Sequence, residues 1–510
     1  MFDPSPMLSL WSAWRQKAQA RQDAVTVQRT VLAGLVRRAA GTAFGLAHNF
    51  SSIRSIGDYQ HRVPLMNYDK FQERWWGPAF PHLNGITWPG PIRYFANTSG
   101  TTQATTKRIP LSYEMLCSNR QAALDVLAFH FAQRPASRVL GGKSIFFAGT
   151  TVLEQLAPGI QAGDLSAIAA IERPIWARGR VLPPDSISHI TGWQVKMEAL
   201  APLALASDVR SISGTTSWML LFFDTVAALR PHGARLRDLF PALELVVHGG
   251  VAFAPYRDRF AYWLEGSNAL IREVYPASEG FIAAADRGEG EGLRLMLDHG
   301  LFFEFVRPAE IGSATPERRW IADAVLGEEY ALVLTSDAGL WSYIVGDTVK
   351  LIDRNPPRLL ITGRTAWSLS VAGEHLVGAE LDTAMSEAAR AVGRNVVDYS
   401  AAPVQPDDRD ARAGHLFAVE LDGPADAKTF ANALDAALKR LNDDYAAHRT
   451  AGFGLRDPDV RLLAPGRFAR WMAERGKLGA QNKVPRVVTT PDTLAALLAD
   501  GGSSQPASGG

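Results

Sequence analysis

Between Tyr94 and Pro110 the chain reads YFANTSGTTQATTKRIP, a single glycine among Ser and Thr side chains with a lysine behind them. Such a loop offers backbone N–H groups, hydroxyls and one cation to a polyphosphate, which points to nucleotide chemistry. It is not a Walker A loop, because only Gly100 lies in this run and that motif needs two glycines flanking four residues. Three further clusters follow in order: Val274–Gly280 (VYPASEG), Leu340–Asp347 (LWSYIVGD) and Gly476–Arg486 (GKLGAQNKVPR). Glu279 comes just after a β-branched run, where a carboxylate can hold Mg²⁺ through oxygen. Asp347 follows Gly346 at the end of an aromatic, β-like run, and its carboxylate can accept both hydroxyl protons of a ribose. His248–Gly250 (HGG) also follows a strand-like run, so Gly249 and Gly250 would let backbone approach a flat base closely.

With these motifs in this order, the chain resembles the adenylate-forming superfamily, and within it the acyl-acid amido synthetases of the Gretchen Hagen family. The resemblance runs from about Gln28 to Val488. It rests on Thr98–Thr102 leading into Lys107–Pro110, on the strand-like Phe303–Phe305, and on the late Lys483–Arg486. It implies an ATP- and Mg²⁺-dependent enzyme that activates a small carboxylic acid as its acyl-adenylate and passes the acyl group to an amine, most simply an amino acid. The loop Thr98, Ser99, Gly100, Thr101 and Thr102 becomes the triphosphate cradle, with Ser99, Thr101 and Thr102 on phosphate. Glu279 becomes the Mg²⁺ ligand, Tyr275, Ala277 and Ser278 lie along adenine, and Tyr343 stacks near Asp347 on the ribose. Arg364 approaches ribose or phosphate from the hinge. Lys483 becomes the catalytic cation that swings in on the small domain, a task for which a point charge suits better than a planar guanidinium.

Two departures thin the expected phosphate contacts. Ser342 and Ile344 flank Tyr343 where plant members have arginines, and His375 stands in GEHL (373–376) where many relatives have lysine. For an apolar acyl cavity the sequence offers Ser217–Phe223 (SWMLLFF) and Gly300–Phe305 (GLFFEF), and Trp218 is the expected wall residue. A CoA or carrier-thiol ligase of the same superfamily, and a nucleotide-binding protein without turnover, remain as alternatives. The segment 365–376 contains no Lys or Arg to hold a phosphorylated pantetheine arm, which favours the amide.

The elements that must carry these residues follow from length and pattern. At 510 residues, with 47% hydrophobic and 21% charged content, a soluble chain of two domains is expected. A net charge of +1 leaves no surplus for a nucleic-acid footprint. The single cysteine, Cys117, suits a reducing compartment and reads as a core residue. The first residues place apolar side chains before basic ones, unlike a secretory signal, and no apolar run approaches the ~18 residues of a membrane span. A cytoplasmic protein without a membrane partner is expected.

Strand patterns fall at 143–148, 244–248, 271–275 and 331–335, with helical ones at 23–40, 113–133, 216–229 and 254–264. Their alternation predicts an α/β fold with a large layered N-terminal adenylation domain (1–366), its motifs at strand ends. The two prolines of 353–358 break any regular element. Beyond them, strands at 367–371, 395–400 and 416–421 and helices at 377–391 and 425–442 predict a smaller, mobile α+β domain (367–498). The hinge falls near Gly363–Ser370, and a tail at 499–510 has no core-forming residue.

Overall fold

The computed structural model describes residues 2–98, 107–148, 151–173, 177, 179–190, 193–230, 233–250, 253, 256–365, 376, 378–404, 413–442, 445–446, 449, 455–475, 484–488 and 491–499. The strand expected at 367–371 and the tail from 500 lie outside the described residues. The chain forms two compact units, the first chiefly Met1–Val251 with Arg259–Thr365, the second chiefly Ala366–Leu478 with the seven residues Ala252–Asp258.

The first unit is built on a twelve-stranded sheet whose halves follow different rules. At one end Val181–Leu182, Lys143–Phe146, Val209–Gly214, Leu245–Gly249 and Leu270–Ala277 run parallel. Parallel neighbours need crossovers, and helices such as Thr216–Ala228 and Arg257–Leu264 supply them. From Leu270–Ala277 onward the sheet turns antiparallel through Gly280–Ala284, Leu293–Leu295, Pro357–Arg364, Tyr343–Arg354, Glu329–Ser336, Leu301–Val306 and Arg318–Trp320. The prolines of 353–358 do not end the unit. They sit at the tight turn joining Tyr343–Arg354 to Pro357–Arg364.

Local chemistry sets the helix starts. Asp23 accepts from Thr26 N at 2.8 Å to open Ala24–Ala39, and Ser112 accepts from Met115 N at 2.9 Å to open Tyr113–Gln133. Ala24–Ala39 turns Leu32, Leu35, Val36 and Ala39 into the core, and buried Gln28 ties it to the sheet. Its side-chain amide donates to Leu297 O and Leu301 O, each at 2.8 Å, and its carbonyl accepts from Phe303 N at 2.9 Å. Cys117, expected in the core, is only half-buried. Tyr113–Gln133 buries Met115, Ala122, Val126 and Phe129, and at about 100° per residue position 117 falls on the far flank from Met115.

A separate four-stranded sheet pairs Lys107–Leu111 and Tyr94–Thr98 as an antiparallel hairpin beside Ile160–Asp164 and Glu154–Ala157. In the second unit Val396–Val404, Gly414–Leu421 and Asp459–Leu463 form one sheet. Helices Gly378–Ala391 and Ala427–Leu441 contribute Leu381, Met385, Phe430, Leu434 and Leu438 to its core. Among the described residues no helix is long and apolar enough to cross a membrane.

Candidate active site

Two backbone irregularities in the antiparallel half bring the expected nucleotide residues together. Ala277 pairs with Gly280, so Ser278 and Glu279 form a two-residue hairpin turn rather than a strand-end loop. Gly280 takes a φ of 147°, and a Cβ there would lie 2.7 Å from Leu301 Cδ2, so the turn needs glycine. The second irregularity is a bulge. Ala331 pairs with Thr348 and Val333 with Ile344, leaving Val345, Gly346 and Asp347 opposite Leu332 alone. Gly346 has φ 93°, the left-handed conformation that a bulge asks of one residue. Asp347 therefore lies inside a strand, re-aimed by the bulge, where the sequence suggested a strand end.

Asp347 faces Arg364 across the ladder, and Arg364 Nε donates to its Oδ1 at 2.7 Å. The Tyr275 hydroxyl donates to the other carboxylate oxygen. Tyr343, 2% exposed, lies close enough to Glu279 for the carboxyl group to act on its phenol. Burial pushes the Glu279 carboxyl up to about 7, with the Asp347 charge adding to the rise and Arg364 and Lys107 opposing it. Burial likewise holds both phenols well above 10, with Asp347 adding at Tyr275 and Glu279 at Tyr343, so both stay neutral donors. The result is a group of two carboxyls, two phenols and one guanidinium, buried at Tyr275, Glu279 and Tyr343 and partly exposed at Asp347 and Arg364, with the Lys107 ammonium within electrostatic reach.

Lys107 is the cation that the sequence places behind the hydroxyl-rich run. It begins the strand Lys107–Leu111, opposite Thr98, with its Nζ 5.6 Å from the centre of the Tyr68 ring. Thr98 closes Tyr94–Thr98, while Ser99, Gly100, Thr101, Thr102, His375 and Lys483 lie outside the described residues. Ala277 and Ser278 flank Glu279 in the hairpin.

Both glycines of the HGG run have reasons in the fold. A Cβ on Gly249 would lie 2.3 Å from Val274 O on the neighbouring strand, and Gly250 has φ 85°. His248 is buried, and burial presses its imidazole down to about 3, so it is neutral. The aromatic runs pack into the core. Phe222 stacks on Phe240, Phe223 packs against Phe260 and Trp263, and Leu301–Val306 is buried throughout. Trp218 is half-buried on the helix Thr216–Ala228.

Ser342 explains one departure from the plant pattern. It has φ 45° and is fully buried, where its hydroxyl donates to Glu304 Oε2 at 3.1 Å and accepts from Arg318. Arg318 in turn forks onto Glu304, at 3.0 and 2.9 Å. A long basic side chain at 342 has no room in that network.

A hard divalent cation fits the Glu279 group by its donor chemistry. Mg²⁺ takes one or two carboxylates and completes its shell with water and phosphate oxygens. Among the described residues the buried Glu279 carboxyl makes no ion pair, whereas Asp347 is already committed to Arg364. The other cluster with metal-ligand side chains among the described residues, Asp125, Asp298 and His299, is closed by Arg15. Arg15 donates to both carboxylates at 2.7 to 2.9 Å.

Family models match in three successive blocks: the GH3 family N-terminal domain over residues 14–217, its central domain over 294–364 and its C-terminal domain over 379–492. The chain belongs to the GH3 family. Similar curated proteins include a probable indole-3-acetic acid-amido synthetase of Oryza sativa subsp. japonica, 29% identical over 39% of this chain and 34% of that protein. A jasmonoyl–L-amino acid synthetase of Nicotiana attenuata is 22% identical over 93% of each chain. The chain spans only about a third of the length of the first such relatives it matches. Among solved structures, the acyl acid amido synthetase GH3.15 in complex with 2,4-DB superposes with a TM-score of 0.77 at 17% identity, over 98% of this chain and 96% of that one. A 2-hydroxyisobutyryl-CoA ligase gives 0.62 at 17% identity, over 95% and 91%. At that identity the likeness establishes the fold: this GH3 chain has the two-part α/β architecture of adenylate-forming enzymes.

Proposed function

We propose that this GH3 protein is an ATP-dependent acyl-acid amido synthetase. The observation that carries the reading is the Tyr275–Asp347–Arg364 hydrogen-bonded group beside the buried Glu279 and Tyr343, set by a hairpin and a bulge in a chain of this family. In this reading Asp347 accepts from the ribose hydroxyls, held in place by Tyr275 and Arg364. Glu279 would hold Mg²⁺, which neutralises charge on the phosphate oxygens. Thr98 to Thr102 and Lys107 face the phosphates, and Lys483, on a small domain of residues 367–498, meets charge that develops as pyrophosphate leaves.

The acid's carboxylate oxygen attacks the α-phosphorus while the bond to pyrophosphate breaks. An amine nitrogen then attacks the acyl carbon, the bond to AMP oxygen breaks, and the amine loses a proton. Trp218 is assigned to the acyl pocket, and the acid is small and apolar or aromatic. ATP use and the lone cysteine fit a cytoplasmic setting.

The test is pyrophosphate exchange with ATP and a panel containing indole-3-acetic, jasmonic, benzoic and 2-hydroxyisobutyric acids. Mass spectrometry of the products with pooled amino acids, and separately with CoA, follows. Acid-dependent exchange with amide products supports the reading. Thioester formed faster than any amide overturns it in favour of a CoA ligase, and no exchange with any acid overturns the enzyme reading.

A further inference from the structure

The second unit contains a charged cluster that none of the roles above uses. Arg486, from the KVPR run, is largely buried against two carboxylates. Its Nη1 donates to Asp398 and, at 3.0 Å, to the carbonyl of Tyr399, and its Nε lies 3.6 Å from Asp382 Oδ1. The guanidinium carbon sits 4.3 Å from the centre of the Tyr399 ring, and the Tyr399 hydroxyl donates to Asp382 at 2.7 Å. Donors committed in this way are not offered to a nucleotide, so the cluster is a clamp.

What it clamps is a short length of backbone. Ala401 N donates to Arg486 O at 2.7 Å, Val488 N donates to Ala401 O at 2.8 Å, and Ser400 Oγ donates to Pro485 O at 2.6 Å. Val487 bridges Ala401 in parallel, adding a short extra rung to the strand Val396–Val404. Val484 packs against the cluster of Phe468, Trp471 and Met472. Every residue from 484 to 488 is thus held by the sheet or the core of the second unit, and the next residue toward the N-terminus is Lys483.

We propose that Arg486 is a positioning residue for adenylation, fixing through residues 484–488 the base from which Lys483 acts. The proposal rests on the assignment of Lys483 under the proposed function. Its physical content is that a cation on four rotatable bonds is only as well aimed as its backbone, and a misplacement of about 1 Å can cost about a hundredfold in rate. Lysine cannot replace the fork of Arg486, which meets Asp398, Asp382 and the Tyr399 carbonyl from one plane.

The experiment compares wild type, Lys483→Ala, Arg486→Lys and the double variant in pyrophosphate exchange, using the most active acid of the panel above. Arg486→Lys keeps the charge beside the two aspartates, so the full chain should still fold. Asp398→Asn loosens the clamp from the other side. The expected result is a 30- to 100-fold lower kcat in Arg486→Lys, a KM for ATP within threefold, and faster amide exchange over residues 484–488. In the Lys483→Ala background Arg486→Lys should cost nothing more, because the residue it acts through is gone.

An inactive Lys483→Ala beside an Arg486→Lys and an Asp398→Asn that both keep wild-type kcat would overturn the positioning role and leave the function standing. An equal loss from Arg486→Lys in both backgrounds would mark a general structural effect and also overturn it. A fully active Lys483→Ala would remove the catalytic assignment itself.

Discussion

Glu279→Gln separates stability from function by pH alone. The Glu279 carboxyl is raised from 4.5 to about 7 by burial first and Asp347 among the further causes. Between those values the folded protein binds a proton that the unfolded chain has released, so stability falls as pH rises through this window. Once the group is ionised, above pH 7, the cost reaches about 3 kcal/mol. Below pH 4.5 it vanishes. Glutamine keeps the shape but carries no charge, so the variant should gain about 2–3 kcal/mol on wild type at pH 8.5 and little at pH 5. Urea unfolding of both proteins at the two pH values, without nucleotide or metal, measures the difference. The same variant should lose adenylation and need far more Mg²⁺, since the carboxylate that favours a cation is absent. A stability difference that does not change between pH 5 and 8.5 would refute the burial argument, and an unchanged Mg²⁺ dependence would remove Glu279 from the metal.

Asp347→Ala takes the acceptor from Tyr275 and Arg364 and, under the proposed function, from the ribose; a hydrogen bond to a charged group is worth about 1.5–3 kcal/mol, so calorimetry should show ATP affinity about ten- to a hundredfold lower. Gly346→Ala meets open space, its nearest atom being Thr365 Oγ1 at 3.9 Å, yet holding alanine at φ 93° costs about 1–3 kcal/mol. Thermal unfolding should register that loss, and ATP affinity should fall with it as the bulge relaxes. Asp125→Ala strips the acceptor from Arg15, Gln19 and His299, and breaking one side of a buried pair costs about 3–5 kcal/mol, measurable by denaturant titration. Burial works to raise the Asp125 and Asp298 carboxyls, but hydrogen bonds from Arg15 outweigh it and hold both below 3.8. Their stabilisation is therefore complete above about pH 4 and lost as pH falls through the lower folded values, so Asp125→Ala should flatten acid unfolding below pH 4.

The turns that carry Glu279 and Asp347 were legible because their motifs are also backbone necessities. The Gly-Asp of 346–347 marks a bulge and the Glu-Gly of 279–280 a hairpin, and each glycine announces its conformation in the sequence. Helices with a cap and an apolar stripe, such as Ala24–Ala39, were legible for the same reason. The change from parallel to antiparallel pairing was not, because a buried strand reads as an apolar run in either case. Nor were the ion pairs Glu304–Arg318 and Arg486–Asp398, whose partners lie 14 and 88 residues apart and carry no spacing rule. The acyl pocket was not legible for a general reason: an aromatic that lines a cavity and one that fills a core look alike in a sequence.

The pairing of Asp347 with Arg364 makes the strand ladder a ruler for this site. The two residues sit at the far end of a hairpin whose turn lies between Arg354 and Pro357, and every rung between them counts toward bringing the carboxylate and the guanidinium to one face. Loops elsewhere on the surface absorb insertions freely. A single residue added or removed in that short turn would slide one strand past the other and carry one partner to the opposite side of the sheet. Length variation among relatives should therefore gather outside this hairpin, which is under selection for its count as much as for its composition.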